Sequence, residues 1–341
     1  MKENAKYYST TCAKIGLAML LFYAFFTLST YAVYIVADIL AEFFENEFYL
    51  EAITNFLFAL TYFLSFSVPA FILRKMCKSL PSSRPIYTSF KFNGWIFAAI
   101  IAVIAVNFSL SYLNNITITS FLPDSVVNSV SSSTDIAKDH SMSEIWILFL
   151  IEVLATAIVP ALCEEYLFRG AVLTNLLPFG KTTAIFASAV LFGFMHQNPF
   201  QILYTLLMGV IIGYIYVKTK SIWACVILHF MNNMITVLED YLPIFTGREW
   251  IMVLVELIII FGGGLALLLI MLRKNKEPSP QFEGSYGRVY ERGFEHEEIV
   301  LDLPAGQKLR KFFTPTIIIF VIICMLSIVN TMLSVYGISL T

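Results

Sequence analysis

The sequence predicts an all-α, polytopic transmembrane helical bundle of about eight core helices plus one C-terminal helix. Three observations predict it. The 341 residues are 58% hydrophobic and only 13% charged, whereas a soluble domain is about 25% charged. Long apolar runs recur along the whole chain. Lysine and arginine collect in alternate connections between these runs, as they do on the cytoplasmic side of membrane proteins.

Nine apolar runs approach the roughly 20 residues that a spanning helix needs. They cover 14–40, 50–74, 94–113, 144–177, 181–197, 199–218, 221–242, 250–273 and 312–336. The first run is longer than the roughly 7–15 apolar residues of a secretory signal, so we expect it to be retained as a spanning helix. The fifth run is short. The fourth is longer than needed, so we expect it to tilt or to emerge from the bilayer.

The positions of lysine and arginine predict the orientation of the chain. With the N-terminus in the cytoplasm, only Lys138 and Arg248 of the 22 Lys and Arg residues fall on the outer side. The positive-inside rule therefore predicts a cytoplasmic N-terminus and an external C-terminus. The net charge of -2 gives no overall basic field, so nucleic acid is not an expected partner. Membrane lipid is an expected partner because the apolar runs are long enough to span a bilayer.

The runs and the loops between them divide the chain into predicted segments. These are an N-terminal three-helix membrane region (1–113), the central helices (144–242), a closing helix (243–274), a polar cytoplasmic linker (275–311) and a C-terminal transmembrane helix (312–341). A Ser- and Asn-rich loop, 114–143, is predicted to be external. The linker is expected to be a flexible tether, and the last helix an appendage to the body.

Polar side chains interrupt the central runs, where each ionisable group costs a few kcal/mol to insert. They are Glu164, Glu165, Arg169, His196, His229 and Asn233. The sequence Pro178-Phe179-Gly180 predicts a turn, with Glu164 about 21 Å of helix before it and His196 about 24 Å after it. A second turn near Lys220 would raise His229 and Asn233 by about 14–20 Å. The spacing therefore predicts that these groups share one layer of the bundle.

The two glutamates differ in the partners that their own helix offers. Glu165 and Arg169 are four residues apart, the spacing of an ion pair on one helix face. Glu164 is rotated by about 100°, toward Leu167 and Phe168, which cannot pair with it. We expect Glu165 and Arg169 to fix the helix while Glu164 faces a cavity as a general base. The alternative is that both acids belong to a packing ion network.

The two histidines also have polar or aromatic neighbours at helical spacing. His229 and Asn233 are four residues apart, and side-chain donors fixed in an apolar setting can stabilise a developing oxyanion. Phe192 lies four residues before His196 on the same face. Either histidine taken alone would more often be a satisfied structural group. Their occurrence together with the acids indicates a site for hydrolysis.

Three motifs carry a resemblance to a known family. Glu164-Glu165-x-x-x-Arg169, Phe192-x-x-x-His196 and His229-x-x-x-Asn233 follow one another within about 144–242. This set resembles the CPBP family, which comprises CAAX-type intramembrane proteases and related abortive-infection (Abi) and bacteriocin-processing proteins. The resemblance implies that Glu164 and His196 activate a water and that His229 and Asn233 form an oxyanion hole. Glu165, Arg169 and Phe192 match positions that support the site.

The resemblance also implies a substrate and leaves several mechanisms and roles open. The substrate would be a membrane-associated or lipidated peptide. We expect the protein in a bacterial plasma membrane rather than in the endoplasmic reticulum. In a bacterium the substrate would be a peptide, a pheromone precursor or a bacteriocin leader. The favoured mechanism requires no cofactor. A zinc metalloprotease with Glu164, His196 and His229 as ligands uses the same residue types. Two non-proteolytic roles compete with these: a transporter, and a bacteriocin-immunity or scaffold protein of the same fold without catalysis.

Overall fold

The computed structural model describes residues 2–44, 46–77, 94–120, 140–199, 201–274, 301 and 303–335. Every regular element in these ranges is helical. The helices are α1 (Lys2–Ala41), α2 (Glu47–Met76), α3 (Gly94–Thr119), α4 (Met142–Phe179), α5 (Lys181–Met195), α6 (Ile202–Thr219), α7 (Ile222–Thr246), α8 (Glu249–Lys274), α9 (Ala305–Phe312) and α10 (Pro315–Val335).

The described helices are those of a membrane protein. Seven of them are long and apolar enough to cross a bilayer, and α5 and a stretch of α3 are shorter apolar helices. Each of the nine predicted runs therefore coincides with a helix. The all-α, polytopic bundle predicted from composition is confirmed, and the protein is a multi-pass integral membrane protein.

The two predicted turns are present, and each uses a left-handed backbone. The chain leaves α4 through Leu177–Phe179, a single 3-10 turn, and Gly180 has φ of 117°. Lys220, with φ of 54°, ends α6 and leads into α7. A β-carbon disfavours such φ values, so glycine is well suited to the first turn. These turns bring α4, α5 and α7 side by side.

Helix α4 is not a uniform α-helix. Two π-helical segments, Val153–Ile158 and Tyr166–Leu173, flank the α-helical segment Val159–Glu165. The sequence predicted one continuous helix, because hydrophobic periodicity does not separate α from π geometry. π-Helical insertions are rare and are found often at functional sites. Here they enclose the turn that carries both glutamates.

The larger of two apolar clusters in the described residues has members from all ten helices, and a smaller one joins α2, α4 and α7. Aromatic contacts join the N-terminal helices to each other and to the central ones. The rings of Phe22 in α1 and Phe66 in α2 have centroids 4.4 Å apart, and Tyr8 meets Phe179 edge-on at 4.8 Å. The N-terminal helices α1 and α2 therefore pack against each other and against the central helices.

The C-terminal helix differs from the predicted appendage. The backbone N–H of Leu301 donates to the carbonyl of Pro178 at 2.8 Å. The hydroxyl of Thr316 donates to the carbonyl of Ala13 at 2.9 Å, and Ile317, Phe320 and Cys324 are fully buried. Helix α10 is thus packed on α1 as part of the core, so the expectation that the last helix is an appendage is wrong, while the flexible tether stays a prediction. Residues 275–300 and 121–139, which belong to the predicted linker and external loop, lie outside the described residues.

Candidate active site

The centre of the polar cluster is a buried carboxylate with two partners. Glu165 Oε1 accepts a hydrogen bond from Arg169 Nη1 at 2.8 Å and lies 2.8 Å from His229 Nδ1. Arg169 Nη2 also donates to the carbonyl of Gly209 at 3.3 Å. The ion pair predicted from the four-residue spacing is confirmed. The contact between Glu165 and His229 was not predicted, since it joins α4 to α7.

An aromatic ring covers the buried guanidinium. The Arg169 guanidinium lies 4.7 Å from the centroid of the Phe192 ring, and Phe168 meets the same ring edge-on at 5.1 Å. A desolvated cation over a ring face is attracted by its quadrupole. Phe192 is therefore in contact with the ion pair, and the supporting role that the motif implied for it stays a prediction.

Glu164 is buried, but its two oxygens have different surroundings. Oε1 accepts a hydrogen bond of 2.5 Å from the hydroxyl of Tyr62 in α2. Oε2 has no hydrogen-bond partner among the described residues and lies 4.0 Å from His229 Nε2. The sequence indicated that Glu164 lacks a partner on its own helix. It did not predict the contact with Tyr62, because Tyr62 lies in a different helix and spacing along the chain does not show which helices meet.

The gap between Glu164 and His229 suits a small polar molecule. If a water lay at hydrogen-bond distance, about 2.8 Å, from both Oε2 and Nε2, the angle between these two atoms at the water oxygen would be about 90°. Both atoms belong to buried side chains. A water bound there would lie between a carboxylate and an imidazole, the setting in which a general base can remove its proton.

The hydrogen bonds fix the tautomer of His229. Paired with Arg169, Glu165 acts as a carboxylate, which only accepts hydrogen bonds, so Nδ1 of His229 carries a proton. With two carboxylates and one guanidinium, the cluster becomes neutral when Glu164 and His229 share one further proton. A buried cluster with balanced charge avoids the penalty of an unpaired ion. Nε2 can then exchange that proton with whatever lies between it and Glu164.

His196 lies at the end of α5, beside the same ring. Its Nδ1 is 2.9 Å from the carbonyl of Phe192, and its ring meets Phe192 edge-on at 4.9 Å. The His229 ring contacts Phe192 edge-on at 6.1 Å. Glu164, His229 and Arg169 are close enough to act on His196 electrostatically. The structure thus brings both histidines to the layer of the glutamates, and a donated Nδ1 proton leaves His196 Nε2 as an acceptor.

Asn233 is anchored to a π-helical segment of α4. Its Nδ2 donates to the carbonyl of Thr156 at 3.0 Å, and Asn232 Nδ2 donates to its Oδ1 at 3.2 Å. The first contact engages one of the two amide hydrogens and holds α7 against α4. The four-residue spacing predicted that Asn233 and His229 share one face of α7. It did not predict that the Asn233 amide would donate to a backbone carbonyl of α4.

The residues of the zinc alternative do not form a ligand set in the structure. Zinc in a catalytic site needs three protein ligands about 2.0–2.2 Å from the ion. Over the ranges that the structure describes, no three His, Cys, Asp or Glu side chains are grouped so that they could hold a metal ion. The arrangement of these donors therefore does not fit a zinc site.

Comparisons with known proteins find similarity in the part of the chain that carries the polar cluster. The sequence profile described as "Type II CAAX prenyl endopeptidase Rce1-like" matches residues 146–235. A protein of Bacillus subtilis (strain 168), named "Putative membrane peptidase YdiL", is 31% identical over 118 residues, which are 34% of this chain and 46% of that protein. Residues 146–235 are thus similar to a family of CAAX-type membrane peptidases, and a distant relative that carries a peptidase name agrees with this similarity.

The family match has a defined extent. The chain covers less than half of the length of its relative in Bacillus subtilis. No solved structure matches the chain. The profile covers α4 to α7, which carry the motif residues, and ends before α8. Tyr62 and the N-terminal helices therefore lie outside the part of the chain that the Rce1-like profile matches.

Proposed function

We propose that the protein is an intramembrane endopeptidase that hydrolyses a peptide bond of a membrane-associated or lipidated peptide. The observation that carries the proposal is the gap between Glu164 Oε2 and His229 Nε2, which are 4.0 Å apart. Oε2 has no hydrogen-bond partner among the described residues, so it can accept a proton from a water. The similarity of residues 146–235 to the Rce1-like peptidase profile supports proteolysis as the reaction.

Glu164 is the general base of the proposed mechanism. It takes a proton from a water that attacks the scissile carbonyl, and it later returns that proton to the leaving amine. His196 Nε2 helps to hold the water by accepting a hydrogen bond. Glu165 orients His229 by accepting the Nδ1 proton, much as a buried carboxylate orients the histidine of a catalytic triad.

His229 and Asn233 are the proposed donors to the oxyanion. Protonated on both nitrogens, His229 offers Nε2–H to the carbonyl oxygen as its negative charge develops. One donor of this kind contributes about 2.7–4 kcal/mol to transition-state stabilisation. Asn233 offers the amide hydrogen that is not donated to Thr156. The anchored amide and the anchored imidazole need little reorganisation during the reaction.

The substrate belongs to the same proposal. The site lies within apolar helices, which favours a peptide that is itself embedded in or anchored to the membrane. In a bacterial plasma membrane, with the N-terminus of the enzyme in the cytoplasm, a pheromone precursor or a bacteriocin leader fits this description. A prenylated C-terminus is the class named in the description of the family profile.

Peptide release tests the proposal. Membranes that contain the intact protein, the Glu164→Gln variant or a Glu152→Gln control are incubated, and the released peptides are compared by mass spectrometry. Glu152 is a second acid of α4, and it accepts a hydrogen bond from Thr156. We expect peptides that are lost with Glu164→Gln and kept with Glu152→Gln. Identical release from all three membranes would contradict an enzymatic role and favour a non-catalytic scaffold protein.

A chelator separates the two chemical mechanisms. The cleavage found with intact protein is repeated after prolonged treatment with a strong chelator, and again after zinc is added back. We expect the rate to stay unchanged, because the base and the oxyanion donors are all side chains of this chain. Loss of cleavage with the chelator and its return with zinc would overturn the metal-free mechanism in favour of a zinc protease.

A further inference from the structure

We infer that Tyr62 of α2 is a positioning residue of the site, because its hydroxyl holds one oxygen of Glu164 and thereby directs the other toward His229. The inference rests on the proposed function of Glu164. The hydroxyl donates to Oε1 at 2.5 Å, while Oε2 lies 4.0 Å from His229 Nε2. A carboxylate can rotate and exchange its oxygens, and a donor on one of them fixes which oxygen faces the gap.

No other described group carries out this function for Glu164. The guanidinium of Arg169 pairs with Glu165 through Nη1. Its other terminal nitrogen, Nη2, donates a hydrogen bond to the backbone carbonyl of Gly209. The hydrogen bond from Tyr62 is the one that the structure gives to Glu164. A neutral hydroxyl binds the carboxylate without cancelling its charge, so Glu164 stays able to act as a base.

The ring of Tyr62 is held by aromatic packing. It stacks on Phe66 with centroids 4.7 Å apart and planes at 30°, and it meets Phe26 of α1 edge-on at 5.8 Å. Phe66 in turn lies 4.4 Å from Phe22. A donor whose ring is locked in this way can fix its acceptor within the few tenths of an ångström that catalysis requires. Helices α1 and α2 therefore complete the site that the central helices carry.

A second buried tyrosine provides a matched control. The hydroxyl of Tyr216 in α6 is 2.8 Å from Thr174 Oγ1, which is also a contact to α4. Tyr62→Phe and Tyr216→Phe each remove one oxygen and one interhelical hydrogen bond. Only the first of them changes the surroundings of Glu164. A purely structural contribution would be similar in the two variants.

The kinetic test uses the full chain in liposomes with a quenched fluorescent farnesylated CAAX peptide, together with any peptide whose release depends on Glu164. For Tyr62→Phe we expect kcat to fall by about 10- to 100-fold, the cost of misplacing a catalytic group, with KM within about twofold. Tyr216→Phe is expected to keep kcat within about twofold. A Tyr62→Phe protein that keeps full kcat would overturn the inference.

A spectroscopic readout separates this inference from the proposed function. The carboxylate stretch of Glu164 is located by infrared difference between intact protein and Glu164→Gln. We expect Tyr62→Phe to shift that band and Tyr216→Phe to leave it in place. A shifted band in a protein that cleaves no peptide would end the proposed function but keep the contact. An unshifted band would end the inference itself.

Folding is checked by a variant that keeps the hydroxyl. Phe66→Leu removes the ring on which Tyr62 stacks and leaves the donor present. We expect an intermediate loss of kcat, because the donor becomes mobile but is not removed. If Tyr62→Phe does not fold, an unchanged kcat in folded Phe66→Leu overturns the rigid positioning that the inference requires.

Discussion

Two histidine–glutamate pairs lie at different places in this bundle. In the central pair, His229 Nδ1 is 2.8 Å from Glu165, and the side chains are 7% and 0% exposed. In the outer pair, His140 Nε2 is 3.2 Å from Glu51, and the side chains are 9% and 40% exposed. The chemical groups are the same. Among the described residues, only the central pair has a guanidinium on its carboxylate.

The neighbours of the two pairs differ in sign as well as in burial. Around Glu165 a cation balances the acids, and the atoms are joined by hydrogen bonds. The outer pair lies near further acids, since Tyr241 is close enough to be affected by both Glu51 and Glu152. Acidic side chains also lie close enough to Glu239 and Asp240 to act on them electrostatically. Balanced charge allows full burial, whereas unbalanced acids stay partly exposed.

The largest difference between the pairs is expected in cleavage. Replacing His229 by Gln removes the group that faces Glu164, so the rate should fall by about 100- to 10,000-fold, the range for a lost acid–base group. Replacing His140 by Gln should change the rate by less than about fivefold, the scale of an exposed ion pair. Initial rates in liposomes measure both. Equal losses of cleavage rate in the two variants would contradict a catalytic role of His229 that His140 lacks.

Stability should separate the pairs next. Arg169→Met leaves Glu165 buried without its cation, and breaking a buried ion pair costs about 3–5 kcal/mol of unfolding free energy. Glu51→Gln removes a carboxylate that is 40% exposed, and we expect a change below about 1 kcal/mol. Unfolding by SDS titration in mixed micelles measures both values. An Arg169→Met protein as stable as the Glu51→Gln protein would contradict the stabilising role of the central ion pair.

The smallest of the predicted effects concerns the amides beside the central pair. Asn233→Ala removes a proposed oxyanion donor, and kcat should fall by about 100- to 1,000-fold. Asn232→Ala removes the hydrogen bond to Asn233 Oδ1, and we expect a loss of about two- to tenfold. KM and kcat are measured for both. If Asn232→Ala is as defective as Asn233→Ala, the amide of Asn233 acts through helix packing and not on the oxyanion.

The sequence predicted those parts of the site that depend on spacing along one helix or on helix length. Glu165 and Arg169 pair because four residues make nearly one turn. Glu164 and His229 approach each other because the turns at Gly180 and Lys220 return the chain to one layer of the bundle, and the α-helical rise gives that layer approximately even though α4 contains a π-helical segment. The all-α fold followed from apolar runs of spanning length, because backbone groups in a bilayer must be satisfied within helices.

Contacts between distant runs could not be predicted in the same way. Tyr62 reaches Glu164 from α2, and nothing in an apolar run tells which of its faces meets α4. The π-helical segments of α4 leave the apolar pattern unchanged. The segment from Leu301 to Phe312 reads as polar, yet Leu303 and Phe312 are buried, because two apolar side chains suffice to dock a short helix. These features depend on tertiary packing.

One pair of variants tests the central claim most directly, namely that Glu164 performs chemistry while Glu165 orients. Glu164→Gln and Glu165→Gln differ by one position, and each replaces one buried carboxylate by an amide of the same shape. For both purified proteins the cleavage rate and the unfolding free energy are measured under one set of conditions. We predict that Glu164→Gln unfolds like the intact protein but is inactive, whereas Glu165→Gln loses several kcal/mol of stability. A Glu164→Gln protein that cleaves at the intact rate would contradict the account.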